Sequence, residues 1–330
     1  MPTNLPPDYF KAEEQFRAAT TTEEKIAWLE TMYSLVPKHK GTDHLRADLR
    51  RKISRLKEGA RARKGAARQA SPYHIDREGA GQVVVIGPAN SGKSSLVAAL
   101  TGAEPEVAPH PFSTWEPTPG MMPFENIQIQ LIDTPPLDAG FLDPEMINLL
   151  RRADLLMLVV DLQAFPIEQI ERCREILRSH RIVPADHPEE AEGMLRATLK
   201  PFLIVVNKTD DEHNDADFDA LCDLMEGETC PLVPYSAVTG YHLDDLKRAI
   251  FERLNVIRVY ARPPGKEPDF TAPFVLKVGS TVEDFAAKVH QDFLKNLKSA
   301  RVWGSTTFDG QMVSRDYVLQ DGDVVELRAA

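Results

Sequence analysis

Val83-Val84-Val85-Ile86-Gly87-Pro88-Ala89-Asn90-Ser91-Gly92-Lys93-Ser94-Ser95-Leu96 is the stretch on which the fold turns. Four β-branched aliphatic residues lead straight into Gly-x-x-x-x-Gly-Lys-Ser, and a helical pattern of Leu96, Val97 and Leu100 follows. Strand, glycine-bounded loop and helix N-terminus come in the order that a phosphate-cradling P-loop needs. The glycines let the backbone curl so that N–H groups between Gly87 and Ser95 point inward. Lys93 supplies a point charge for the β- and γ-phosphates, and the Ser94 hydroxyl is a Mg²⁺ ligand. Nucleotide binding is therefore expected at Gly87, Asn90, Ser91, Gly92, Lys93, Ser94 and Ser95.

A second motif selects the base. Asn207-Lys208-Thr209-Asp210 directly follows the buried run Phe202–Val206. A carboxylate there accepts from both the N1–H and the exocyclic amine of guanine, whereas adenine would leave it unpaired. Asn207 and Lys208 brace the loop and cover the base. Ser236-Ala237-Val238-Thr239-Gly240 follows the next strand and offers a backbone N–H to the guanine O6, besides serving as an N-cap turn. Together these favour GTP over ATP. The alternating run Ile127–Leu131 delivers Asp133 at its end. With Ser94 and Thr114, Asp133 makes the expected Mg²⁺ site, Thr114 joining when a γ-phosphate is present. Lys93 and Thr114 are the candidate catalytic residues. Asn90 is a turn-favouring residue and also a candidate ligand for K⁺.

Bulk properties set the frame. The 330 residues allow two or three domains, and 42% hydrophobic with 27% charged residues is the balance of a globular protein. No apolar run approaches the roughly 20 residues that span a bilayer, and the N-terminus has no signal-peptide core, so a cytoplasmic protein is expected. Cys173, Cys222 and Cys230 are too few and wrongly spaced for a zinc or disulfide framework; Cys173 and Cys222 read as core thiols. The net charge of −11 is unevenly spread. Between Leu45 and Arg68 lie Arg46, Arg50, Arg51, Lys52, Arg55, Lys57, Arg61, Arg63, Lys64 and Arg68, against Asp48 and Glu58. Such a block is a solvated face, an RNA-backbone footprint or a grip on an acidic partner.

In chain order, residues 8–35 read as two short helices, with Thr21 and Glu24 as a capping box before Ile26, Leu29, Met32 and Leu35. Thr42 caps a third helix whose Leu45, Leu49, Ile53 and Leu56 form a seam, which suits an αα-hairpin. Strands then alternate with helices from Gly81 to about Val256, as in a doubly wound α/β sheet. Ala103–Pro119 reads as a long proline-rich loop, and residues 181–200 as a helical excursion. After Ala261–Pro268 come a strand at Phe274–Val278, a helix over Val282–Phe293 and short strands ending at Val324–Leu327, which fits a small α+β roll of the ubiquitin-like kind. The expected division is 1–78 helical and partly basic, 79–257 a P-loop GTPase domain, and 258–330 a β-grasp domain.

The succession Gly-Pro-Ala-Asn-Ser-Gly-Lys-Ser, Pro-Phe-Ser-Thr, Asp-Thr-Pro, Asn-Lys-Thr-Asp and Ser-Ala resembles the Obg superfamily of GTPases, and within it the developmentally regulated GTP-binding (DRG) family. Lys38-His39-Lys40-Gly41-Thr42 through Leu56 resembles that family's basic helical region. Pro268-Asp269-Phe270-Thr271, Gly279-Ser280-Thr281-Val282-Glu283-Asp284-Phe285 and Val302-Trp303-Gly304-Ser305 resemble its C-terminal TGS domain, a β-grasp module. The likeness covers most of residues 38–330 and leaves the first 35 or so unassigned.

The resemblance implies a GTP hydrolysis cycle with GTP and GDP as ligands, association with ribosomes or translation, RNA contact through the helical and TGS parts, and a regulatory protein partner. Three departures stand out. Asp-x-x-Gly is Asp133-Thr134-Pro135-Pro136, and proline has no N–H for a γ-phosphate. Leu137 stands where many small GTPases orient water with Gln. The folded insertion of DRG proteins is missing, with residues 181–200 as a remnant. Two functions follow: a slow Mg²⁺-dependent GTPase switch, or a nucleotide-gated RNA- or protein-binding module with negligible hydrolysis.

Overall fold

In the computed structural model, residues 22–36, 71–102, 116–138 and 142–329 are described, together with 11, 15, 49 and 52. The chain divides into two units, Met1–Ser71 and Pro72–Ala330. In the first, α1 (Thr22–Leu35) carries Leu29 and Met32, which join Val36 and Leu49 in one buried cluster. Leu49 thus packs as the seam reading expects. Thr21, Thr42, Leu45, Ile53 and Leu56, and the basic block apart from Lys52, lie outside the described residues.

The second unit holds two large sheets. The larger has the order β2-β3-β1-β4-β7-β8, formed by β1 (Gln82–Ile86), β2 (Thr118–Phe124), β3 (Ile127–Asp133), β4 (Leu155–Asp161), β7 (Phe202–Asn207) and β8 (Leu232–Tyr235). Only the β2–β3 pair is antiparallel. Side chains alternate along β1: Val84 and Ile86 enter one core with Ile170, Cys173 and Leu177 of α4 (Pro166–Ser179). Val83 and Val85 enter the other with Leu96 and Leu100 of α2 (Lys93–Thr101) and with Leu246 and Ile250 of α6 (Leu243–Leu254). Each fully buried aliphatic side chain contributes about 1.5–3 kcal/mol, so the central strands, buried on both faces, anchor the sheet. Strand order reverses at β1, and open α/β sheets bind ligands beyond the carboxyl ends of strands at such a switch point.

Several sequence expectations are corrected. The loop over Ala103–Pro119 gives way at Thr118 to β2, a strand holding Pro119 and Pro123. It lies at the sheet edge and pairs only with β3, so a missing proline N–H breaks no second ladder. Residues 181–200 are not a helical excursion. They form a two-stranded parallel pair, β5 (Ile182–Pro184) and β6 (Thr198–Lys200), around a single 3₁₀ turn at Pro188–Ala191. Helices α3 (Pro144–Arg152) and α5 (Glu212–Leu224) complete the layers. Cys173 and Cys230 are buried, but Cys222 is exposed because it lies on the outer face of α5.

The second sheet has the order β10-β9-β13-β11-β12, built from β9 (Val256–Ala261), β10 (Phe274–Lys277), β11 (Leu297–Trp303), β12 (Gln311–Val313) and β13 (Val324–Ala329). β9 and β13 run parallel at its centre, as a β-grasp requires. Helix α7 (Val282–Val289) opens on a Thr281/Asp284 capping box and buries Val282, Phe285 and Ala286 against the sheet. The single helix expected to Phe293 is two, because His290 is extended and its Nδ1 accepts from Asp292 N at 3.2 Å to start α8 (Gln291–Asn296). The β2–β3 turn is held by this sheet: Asn126 Nδ2 donates to Tyr260 Oη at 2.6 Å and Phe270 O at 3.1 Å. Arg258 pairs with both Glu125 and Asp321.

Candidate functional site

The motifs found in the sequence meet at the carboxyl edge of the larger sheet. Gly87 leaves β1 at φ 150°, and a Cβ there would sit 2.2 Å from Val159 O. Asn90 is left-handed at φ 61°. Gly92, φ 89°, caps α2 without any side-chain hydrogen bond, which leaves the helix N-terminus open as an anion site. Lys93 is only 6% exposed, and its Nζ donates to Pro88 O at 2.7 Å. Burial pulls its pKa down against the opposing pull of Asp133 and Asp138. Ser91 is buried, while Ser94 and Ser95 face outward from the first turn.

Asp133 ends β3 beside this loop. Ser94 Oγ donates to its Oδ2 at 2.5 Å, and its Oδ1 is buried without a partner. Burial raises the Asp133 pKa, with Ser94 and Lys93 pulling the other way. An orphaned, desolvated carboxylate oxygen next to a serine hydroxyl is a donor set that suits a hard divalent cation. Thr114 lies outside the described residues.

The base-side loops are tied to the phosphate side through one amide. Asn207 Nδ2 donates to Ser91 O at 2.9 Å, and its Oδ1 accepts from Ala237 N at 3.1 Å. Each backbone N–H of the Ser236–Gly240 stretch, from which one was expected at the guanine O6, already has a partner within the protein. Ser236 Oγ donates to Asp210 Oδ1 at 2.6 Å and accepts from Val238 N and Thr239 N, so the serine aims the carboxylate and shapes its own turn. Lys208, at φ 70°, pairs with Asp161 at the end of β4. Asp210 borders a cleft of about 590 Å³ with Thr239, Gly240, Tyr241 and His242.

Sequence reasoning missed two acids here. Asp161 had only its place after a buried strand to recommend it. Asp138 had no local signal, because its role depends on a tertiary approach. Thr134 Oγ1 donates to Val85 O at 2.7 Å and Leu137 N to Gly87 O at 3.1 Å, folding this segment against the P-loop. Asp138 Oδ1 then accepts from Ala89 N at 3.1 Å. The Leu137 side chain is buried in the core and faces no site.

A further cluster brings His187, Glu228 and Cys230 within metal-ligating reach of one another. Arg174 fills the place of a cation, bonding Glu228 at 2.7 Å and Cys230 Sγ at 3.3 Å. Glu228 is held down to about 2: burial opposes this, and its bonds to Arg174 and His187 override it. The group is a closed ion-pair network between strands and helix.

Comparison with known proteins places two families on the chain. The family described as "50S ribosome-binding GTPase" matches residues 82–208, and the TGS domain matches residues 257–329. The chain is a GTP-binding protein of the GTPase class with a C-terminal TGS domain. It resembles the DRG proteins along nearly its whole length. A developmentally regulated GTP-binding protein of Xenopus laevis is 26% identical, covering 92% of this chain and 98% of the relative. An uncharacterised GTP-binding protein of Methanocaldococcus jannaschii is 28% identical, covering 92% of each. Ribosome-interacting GTPase 1 of Saccharomyces cerevisiae is 27% identical, covering 93% and 99%. The alignment to the Methanocaldococcus protein runs over 362 positions against the 330 residues here, so that relative carries segments this TGS protein lacks.

Proposed function

We propose that this chain binds GTP and GDP, hydrolyses GTP slowly with Mg²⁺, and acts as a ribosome-associated switch. The observation that carries the reading is the Asn207 amide, which joins the phosphate loop at Ser91 to the base loop at Ala237. A ligand that spans both loops is a guanine nucleotide. In this reading Lys93 holds the β- and γ-phosphates, and Asp210, aimed by Ser236, reads the guanine edge. Ser94, Asp133 and Thr114 hold Mg²⁺, which when bound neutralises phosphate charge. Asn90 is the candidate K⁺ ligand.

Slow chemistry follows from Pro136, which has no N–H, and from Leu137, whose side chain is buried away from any attacking water. The same two residues favour the second reading, a nucleotide-gated binding module with negligible hydrolysis. Ribosome or RNA contact is assigned to the Leu45–Arg68 block and the TGS domain, with a regulatory protein as a further partner. The likeness to the ribosome-interacting GTPase 1 of Saccharomyces cerevisiae supports the ribosome. No helix among the described residues is long and apolar enough to cross a membrane. The proposed nucleotide domain covers residues 79–257.

Single-turnover hydrolysis with and without ribosomes tests the proposal. GTP is expected to be bound in preference to ATP and turned over slowly alone and faster with ribosomes. Tight GTP binding without turnover in either condition would leave only the binding module. Ribosome co-sedimentation is expected to fall steeply with salt, since neutralised phosphates release counterions. Changing Arg50, Arg51, Lys52 and Arg55 to Glu is expected to abolish it with GTP affinity unchanged; an undiminished pellet would remove the basic block from the proposal.

Asp138 adds a prediction of its own. A carboxylate on the P-loop amide of Ala89 repels an incoming γ-phosphate far more than it repels GDP. Asp138→Asn is expected to tighten GTP relative to GDP by about fivefold, or ~1 kcal/mol. Titration with a non-hydrolysable GTP analogue and with GDP reads the ratio, and an unchanged ratio would show that Asp138 merely pins its segment.

A further inference from the structure

Between the first turn of α4 and one face of α5 lies an apolar groove of about 540 Å³. Helix α5 presents Asp217, Ala220, Leu221 and Leu224 to it, the i, i+3, i+4, i+7 spacing of a single helical stripe. The opposite wall is Phe165, Pro166 and Ile167, over Leu162. Two of these side chains are left in solvent: Phe165 is 76% exposed and Leu224 is 74% exposed. Phe165 also holds a left-handed backbone at φ 54°, which a non-glycine residue adopts at a cost of about 1–2 kcal/mol. A large aromatic held outward at such a cost, facing an exposed leucine across a cleft, is an unfilled contact surface.

The charge around the groove decides what fills it. From Asp210 to Glu228 the chain carries nine acidic residues and no lysine or arginine, most of them on α5. Asp217 and Glu168 stand in the groove itself. That field repels a phosphate backbone, which excludes RNA, and it attracts lysine and arginine. We infer that this groove is the docking site for a basic amphipathic helix of a partner protein, whose large apolar residues enter between Phe165 and Leu224 while flanking cations meet Asp217, Glu168 and the acids of α5.

The groove is lined by residues of the nucleotide domain and shares none with the basic block or the TGS sheet. Its floor is nonetheless tied to the base loop, since Leu162 N donates to Asn207 O at 3.0 Å. The inference stands on surface chemistry alone and holds whether or not GTP is hydrolysed.

The test uses the full chain loaded with GDP. The probe is a fluorescent Leu/Lys peptide of about four helical turns, patterned as one apolar stripe, and its control is a scramble of identical composition. The patterned peptide is expected to bind about tenfold more tightly than the scramble. Methyl shifts in NMR should concentrate at Leu162, Ile167, Leu221 and Leu224. Phe165→Ser with Leu224→Ser, both exposed and outside the nucleotide motifs, is expected to erase the preference while melting temperature and GDP affinity stay unchanged. Asp217→Asn with Asp219→Asn and Asp223→Asn is expected to weaken both peptides and flatten their salt dependence. Equal binding of the scramble, a preference that survives the double serine variant, or displacement of the peptide by oligouridine would overturn the assignment.

Discussion

Asp210→Asn is expected to lower GTP affinity by about 10²–10³-fold and to raise affinity for xanthosine triphosphate, because the site loses an acceptor pair that no other group replaces. The structure sharpens the expectation. Asp210 receives the Ser236 hydroxyl at 2.6 Å, which fixes one carboxylate oxygen and orients the other. An amide in that place presents one donor and one acceptor, so it meets the guanine N1–H and exocyclic amine with one mismatch. Xanthine carries an oxygen where guanine has its amine, and the new donor meets it. Competition of a fluorescent GTP analogue by GTP, xanthosine triphosphate and ATP measures all three. Equal binding of ATP and GTP by the unmodified protein would end the assignment.

The legible parts of this molecule were those whose chemistry is local. A buried strand that runs into Gly87 and out through Lys93 announces itself, because the residues that form the loop are consecutive. The same holds for Asn207 to Asp210 and for the Asp321-Gly322-Asp323 turn before β13. What stayed hidden is set by partners distant in sequence. β2 carries prolines that argue against a strand, and only its position at the sheet edge makes them harmless. Asp138 gains meaning from Ala89, 49 residues away, and the Ser91–Asn207 bond spans 116. The break at His290 interrupts an unbroken helical pattern, and a side-chain cap decides it. Residues 103–115, which include Thr114, lie outside the described residues, so the third proposed Mg²⁺ ligand rests on the sequence alone.

One consequence of the topology escaped the sequence as well. The β2–β3 hairpin connects the segment after Thr114 to Asp133, and its tip is gripped by the second sheet. Asn126 donates to Tyr260 and Phe270, and Arg258 bridges Glu125 and Asp321 while stacking 5.0 Å over Phe251. A shift of this hairpin therefore has to be matched in the TGS domain or break these bonds.

A comparable loss of nucleotide binding is expected from a single methyl group. Gly92→Ala places a Cβ 2.1 Å from Asn207 Nδ2, inside any van der Waals limit, at a φ of 89° that L-residues avoid. The Asn207 amide has to move, and it is only 2% exposed, with both of its ends engaged at Ser91 O and Ala237 N. Displacing it unpairs two buried groups and separates the phosphate loop from the base loop. Affinity for GTP and GDP is expected to fall together by at least about 10²-fold, the effect of ~3 kcal/mol. Asn207 is buried at the end of β7 and both of its bonds exist without nucleotide, so the melting temperature of the nucleotide-free protein is expected to fall as well, and affinity is read by titration below that transition. A double-mutant cycle isolates the cause. Asn207→Ala alone also costs affinity, but it removes the atoms that the new methyl strikes. Adding Gly92→Ala to Asn207→Ala should therefore cost far less than Gly92→Ala costs alone, leaving only the backbone strain. Additive losses would mean that the glycine matters for its φ and not for its approach to Asn207, and the joint between the two loops would lose its support.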